Sequence, residues 1–283
     1  MIQSLHFRER NPLAGAEWRS APPRERSYNG LQRLCDIGLD VGALAEDLDL
    51  VLMSSELQHG TITPFSLLSS SATLESELEV WFNHLQQTVS TPVFWDAPHL
   101  VTQGHDDGQQ IQEMPLAFES LDIAKLVTTF WTVRLLLFVA KLKLLSAMQQ
   151  GQQRATKVPE RPGVAAPNQT KAPSQASVAN DIPTRIQALA VLINRSTAYF
   201  LSDEVGREGP LRILFPLRVA LATFETMAAK VRIMLGPDHP RVAEAEQYHT
   251  WCQASYKTVV KEKQVKYARD LENASSLWER PVL

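Results

Sequence analysis

Cysteine is almost missing: Cys35 and Cys252 are the only two in 283 residues. Two such residues cannot build a structural zinc site or a disulfide framework. They suit a reducing compartment. An excess of one charge is missing too. Lys and Arg total 28 against 31 Asp and Glu, a net charge of −3. No global field therefore draws the chain toward nucleic acid or an anionic membrane. A glycine-rich phosphate loop, zinc-ligand spacing and a G-x-S-x-G elbow are all lacking. No period-two alternation marks a strand. The first residues carry no apolar h-region, so a secretory signal is not expected. Without a secretory route, the triplets beginning at Asn168, Asn194 and Asn273 are chance matches to the glycosylation pattern.

What the sequence has is helix. The most apolar stretch spans residues 120–148, with no Gly or Pro. Leu126, Phe130, Val133, Leu137, Ala140 and Leu144 recur at helical spacing. Trp131, Leu135, Phe138, Leu142 and Leu145 cover the adjoining surface. Only a narrow stripe, Lys125, Thr128, Thr129, Thr132 and Lys143, is left over. A helix apolar around most of its circumference needs other elements around it. Arg134, Lys141 and Lys143 interrupt the run, so a core helix is expected rather than a membrane span. The fold class that follows is all-α: a multi-helix array around a long buried central helix, with a flexible linker in the middle.

Four regions are expected in chain order. Residues 1–29 are polar and Pro-containing and read as a disordered tail. Residues 30–149 form an N-terminal helical part. Its first helix, 31–57, is acidic through Asp36, Asp40, Glu46, Asp47 and Asp49, and Gly38 and Gly42 predict a break. Thr63-Pro64 predicts the next helix start, Thr as N-cap and Pro at the first position. Leu74, Leu78, Trp81, Phe82 and Leu85 give that helix one buried face. Glu75 and Glu79 repel at i, i+4 unless a cation answers them. Residues 88–117 read as a long connection. Residues 150–180, rich in Pro, Ala, Gln, Ser and Thr, read as a flexible linker.

The C-terminal helical part, 181–283, is expected to pack on the same core. Asp181 is the predicted N-cap of a helix carrying Ile182, Ile186, Leu189, Ile193 and Phe200. The spacing predicts a further helix over 211–235, which Pro216 should kink or delay. Gly236-Pro237 should end it. A helix from Asp238-Pro240 to about Ala254 and a final polar helix around residues 257–269 complete the reading.

Candidate chemistry is sparse. Arg134 lies among residues expected to be buried, so it needs a carboxylate partner. Glu75, Glu77 and Glu79 are the candidates. With Trp81, Trp131 and Pro216 they make up the expected structural residues. No catalytic, cofactor-binding or metal-binding residue is picked out. The loop holding His99, His105, Asp106 and Asp107 has metal-ligand types, but no second cluster completes a site.

Three blocks carry a resemblance. They are residues 74–81, LESELEVW; residues 130–137, FWTVRLLL; and residues 186–201, ending AYFL, followed by RILFPL at 212–217. In that order, with a variable linker before the third, they resemble the C-terminal helical region of fungal binuclear-zinc-cluster transcription regulators. The likeness covers about residues 65–255. It implies a non-catalytic regulatory or interaction domain in the nucleus (otherwise cytoplasmic, not secreted), tied to a metabolic gene cluster. The six-cysteine zinc cluster of such regulators is lacking. A stand-alone homologue, a truncated regulator and one acting through a partner all remain open. The implied partner is a protein, either a DNA-binding transcription factor or a second copy of the chain. No cofactor, no membrane and no specific DNA binding by the chain alone are expected. Basic residues at Arg24, Arg26 and 257–269 would give only weak association, about 10⁻⁴ M or poorer. Residues 235–243, LGPDHPRVA, also resemble the inter-helix turn of kinesin-light-chain-type tetratricopeptide repeats, in a single copy. Two rival functions stand beside the regulatory one: an all-α enzyme using the 99–107 loop, and a helical adaptor without transcriptional work.

Overall fold

A computed structural model of the chain describes residues 30–53, 63–100, 113–156 and 175–262. It is all-α among those residues, apart from two two-residue strands. Helix α1, Gly30–Met53, runs unbroken through Gly38 and Gly42, where a break was expected. Both glycines lie on its buried face with Leu34, Ile37 and Val41. Each glycine costs about 1 kcal/mol in a helix. Burying each of those large side chains returns about 1.5–3 kcal/mol, so packing outweighs propensity. The expected end of this helix at residue 57 lies outside the described residues.

Helix α2, Pro64–Thr88, starts where the sequence predicts. The Thr63 hydroxyl accepts from the Ser66 amide at 3.1 Å, and the Ser66 hydroxyl accepts from the Thr63 amide at 3.0 Å. This reciprocal box satisfies two amides that have no partner within the helix. Residues 88–100 and 113–117 of the connection that follows are described. Strands β1, Trp95–Asp96, and β2, Leu116–Ala117, pair antiparallel, Trp95 opposite Ala117. Val93, Ala97, Leu116, Ala117 and Phe118 are buried. The two short apolar runs around Val93 and Leu116 are the signal for this pair.

The central helix α3, Leu121–Thr156, has 36 residues and spans about 54 Å. It therefore takes up the first residues of the expected linker, and helix α4, Gln175–Arg195, takes up the last. Residues 157–174 lie outside the described residues. Asp181 is not an N-cap. It sits inside α4, as does Pro183, and its carboxylate pairs with Arg185 one turn on. The one-turn helix α5, Thr197–Leu201, leads to α6, Gly209–Leu235. Pro216 does not delay α6, which begins seven residues earlier. Gly236 caps α6 with φ of 84°, its amide donating to the Arg232 carbonyl at 3.0 Å. Helix α7, Pro240–Glu262, is continuous where two helices were expected. It folds back antiparallel on α6, since Cys252 meets Leu217, Tyr248 meets Phe224 and Glu246 meets Arg232.

Helix α3 contacts α1 and α2 on one side and α4 and α6 on the other. A single hydrophobic cluster runs from Leu34 in α1 to Val259 in α7 and includes residues of every long helix. The stretch Leu121–Gln150 is long and apolar enough to cross a membrane, but 67% of its most apolar window is buried against the rest of the protein. Even its threonine stripe is covered. Thr128 and Thr132 are buried, and their hydroxyls donate to the Ala124 and Thr128 carbonyls at 2.8 and 2.7 Å.

Candidate functional site

The acidic row of α2 is an anchor line. Alternate residues of LESELE point away from the core, and each finds a cation on another helix. Glu75 accepts from Lys141 of α3 at 2.7 Å and from Arg185 of α4 at 3.2 Å. Glu77 accepts from Arg33 of α1 at 2.6 Å. Glu79 pairs with Arg134 of α3. Arg134 keeps 20% of its side chain exposed, so it lies at a helix seam rather than deep inside. Its guanidinium packs 5.6 Å from the Phe130 ring and 5.5 Å from the Phe138 ring, one turn away on either side. Those faces attract a cation. The mutual repulsion of Glu75 and Glu79 is answered from two helices at once.

The two tryptophans fasten different parts of the chain to α3. Trp81 is buried and stacks on Phe130 at 5.6 Å. Its indole N–H donates to the Gly30 carbonyl at 2.7 Å, which ties the start of α1 to α2. Trp131 meets Phe94 edge-on at 5.1 Å and lies 6.2 Å from Phe118. Phe118 continues to Tyr199 at 5.1 Å. The connection and α5 are thus held to α3 by one aromatic chain. Arg195, which the sequence reading overlooked, closes the same region. It pairs with Asp96 and donates to the Met114 carbonyl at 2.5 Å, linking the last turn of α4 to both sides of the strand pair.

One feature has the form of a binding site. A pocket of about 110 Å³ opens between α3, α4 and α6. Helix α6 supplies a face at i, i+3 and i+4 spacing, from Phe215 through Val219, Ala222 and Thr223 to Thr226 and Met227. Helix α3 supplies Leu136, Val139 and Leu142, and Ile186 of α4 closes the third side. Lys143, Arg218 and Lys230 are its charged members, and among the described residues no acid lines it. The Nε of Arg218 is buried and has no hydrogen-bond partner among the described residues. Thr223 and Thr226 spend their hydroxyl protons on the Val219 and Ala222 carbonyls, each at 2.8 Å. Leu142, Lys143 and Ile186, read from the sequence as helix-face positions, line it, and of the expected structural residues Pro216 comes nearest in the chain, buried beside Phe215. The glutamate row and both tryptophans do not line the pocket.

The remaining candidates are not brought together. His99 is exposed on a single 3-10 turn, Pro98–Leu100. His105, Asp106 and Asp107 lie outside the described residues, as do Arg24, Arg26 and residues beyond 262. Among the described residues no group of three His, Cys, Asp or Glu could hold a metal ion. In α1, Asp36 accepts from Gln32 at 3.1 Å on the helix surface. Burial pushes the thiols of Cys35 and Cys252 up from the ordinary range, Cys252 far more strongly, so neither is poised as a nucleophile. No protein-family model, characterised protein or solved structure matches the chain.

Proposed function

We propose that the chain is a non-catalytic regulatory and interaction domain of a transcription-regulator-like protein, acting on a metabolic gene cluster through a protein partner. The observation that carries this reading is the pocket between α3, α4 and α6. It lies where the helices before and after the 157–174 segment meet, so its occupation bears on how those helices pack. A ligand can shift a conformational balance only by binding the alternatives unequally, and a seam between helices is where such inequality arises. The order of the LESELEVW, FWTVRLLL and AYFL…RILFPL blocks points the same way through its resemblance to fungal regulators. DNA recognition then belongs to the partner, either a zinc-cluster protein or an assembly containing a second copy of this chain. The test is a fusion of the chain to a heterologous DNA-binding module, assayed on a reporter. A change in reporter output over the module alone is expected. An unchanged reporter, with the fusion shown to be folded and bound to its site, overturns the proposal.

A further inference from the structure

We infer that the α3–α4–α6 pocket binds an uncharged, hydrocarbon-like molecule: a single ring or an equally short alkyl chain, with no ionised group. This deepens the regulatory reading above and rests on it for what binding would mean; the ligand class follows from the lining. Size comes first. A cavity of about 150 Å³ lined by Leu, Ile and Phe holds benzene, so a pocket of about 110 Å³ takes no more than one small ring or a few methylenes. The walls are hydrocarbon. Leu136, Ile186 and Val219 are buried and form the floor. Val139, Leu142 and Met227 are half-buried and form the mouth. The unbranched Met227 side chain lets that mouth reshape around a guest.

The lining selects against a charged head. All its residues lie inside helices, where backbone amides and carbonyls already bond to one another. Thr223 and Thr226 donate their hydroxyl protons to the Val219 and Ala222 carbonyls, so neither has a proton to give a guest. The three cations supply no head site either. Lys143 already has a partner. The Arg218 Nε is buried, closed to a guest as it is to water, and the charge of that side chain acts on the Cys252 thiol of α7. Lys230 is exposed, about 16 Å by helix rise beyond Val219. An ionised guest would give up its hydration and gain no partner, which is costly. A neutral ring gives up nothing of the kind. About 150 Å² of ring surface leaving water corresponds to a dissociation constant of about 1–2 mM.

The test is an NMR-detected titration of the full, methyl-labelled chain with toluene, benzoate and benzylammonium, which share one ring and differ in charge. Toluene should shift the methyls of Val139, Leu142, Ile186 and Val219 and bind with a Kd of about 1–2 mM. Benzoate and benzylammonium should each bind at least about tenfold more weakly. Ala222→Phe, which fills the pocket from α6, should abolish the toluene shifts, and Val139→Phe should do the same from α3. The comparison of the three probes uses the parent chain, so a misfolded variant cannot shield the inference. Either ion binding within about tenfold of toluene overturns it. Toluene shifts that persist in both folded variants, or no toluene binding at millimolar concentration, overturn it as well. Toluene binding beside a silent fusion reporter sustains this inference and overturns the regulatory one. An active reporter without toluene binding does the reverse.

Discussion

Glu75 and Glu79 sit one turn apart on α2 and both meet cations from α3, yet they should not matter equally. Glu75 keeps 19% of its side chain exposed and holds two cations, Lys141 and Arg185. Glu79 is 51% exposed and holds one. Exposed pairs contribute about 0–1 kcal/mol, because water screens them and holding long side chains costs entropy. Removing one partner of a well-buried pair costs about 3–5 kcal/mol, since a charge is left stranded. Glu75→Gln should therefore cost about 2 kcal/mol and Glu79→Gln under about 1 kcal/mol, between those limits. Urea denaturation of the two variants checks the order. Cys252 sets a pH limit on the same scale. Burial raises its thiol pKa in the folded state. Below about pH 8.5, where an unfolded thiol titrates, both states hold the proton and the contribution is complete. Above that pH the unfolded chain releases a proton that the folded chain keeps. Stability then falls by up to about 1.4 kcal/mol per pH unit from this group. Tyr199 and Tyr248, also raised by burial, add to the loss at higher pH. In Cys252→Ser the slope above about pH 9 should be shallower than in the parent, read from melts across pH.

Among the helices, the turn between α5 and α6 allows the least change. A Cβ on Gly209 would overlap the Phe200 carbonyl oxygen and come within 2.6 Å of Val205 Cγ1. The obstacle is backbone, which cannot rotate away. Gly236 differs: a Cβ there meets open space, and only its φ of 84° is unfavourable. Gly209→Ala should cost about 3 kcal/mol or more as overpacking, against about 1–2 kcal/mol for Gly236→Ala from the left-handed backbone. Thermal melts of the pair separate steric from conformational cost. The same elements mark how far the sequence could be read. Helices with one clear face and a local stop signal were legible: Thr63-Pro64 opens α2, Gly236-Pro237 closes α6, and α3 is apolar nearly all round. Boundaries decided by tertiary packing were not. Gly38 and Gly42 read as a break because propensity is local, whereas their burial depends on distant helices. Asp181 read as a cap although α4 continues upstream of it. The pocket was invisible, because Leu136, Ile186 and Ala222 come from three helices and each reads as ordinary core. Arg195 was missed because its partners, Asp96 and Met114, are brought to it by a strand pair too short to show in a pattern.

At the scale of the whole molecule, the single core cluster makes the two helical parts depend on each other. The side chains of Leu135, Leu137 and Phe138 are fully buried, with α1 and α2 on one side of α3 and α4 and α6 on the other. The segment between α3 and α4 is poor in large apolar residues, which predicts early cleavage by a protease. A chain cut within 157–174 should therefore stay assembled, its two pieces eluting together by gel filtration with helical signal intact. Separation of the pieces without denaturant would contradict a shared core.

The position of α3 in the chain also affects how the protein is made. When Thr156 has left the ribosome, α1 and α2 are available to cover one side of the central helix. The other side waits for α4 and α6, and α6 ends at Leu235, about 80 residues later. At roughly 5–20 residues per second that is about 4–16 s of synthesis. During that interval, a 36-residue helix carries an uncovered apolar face. The nascent chain is thus a client for holding chaperones over a defined window. Codon choice between positions 157 and 235, which sets how long that window lasts, becomes a determinant of soluble yield.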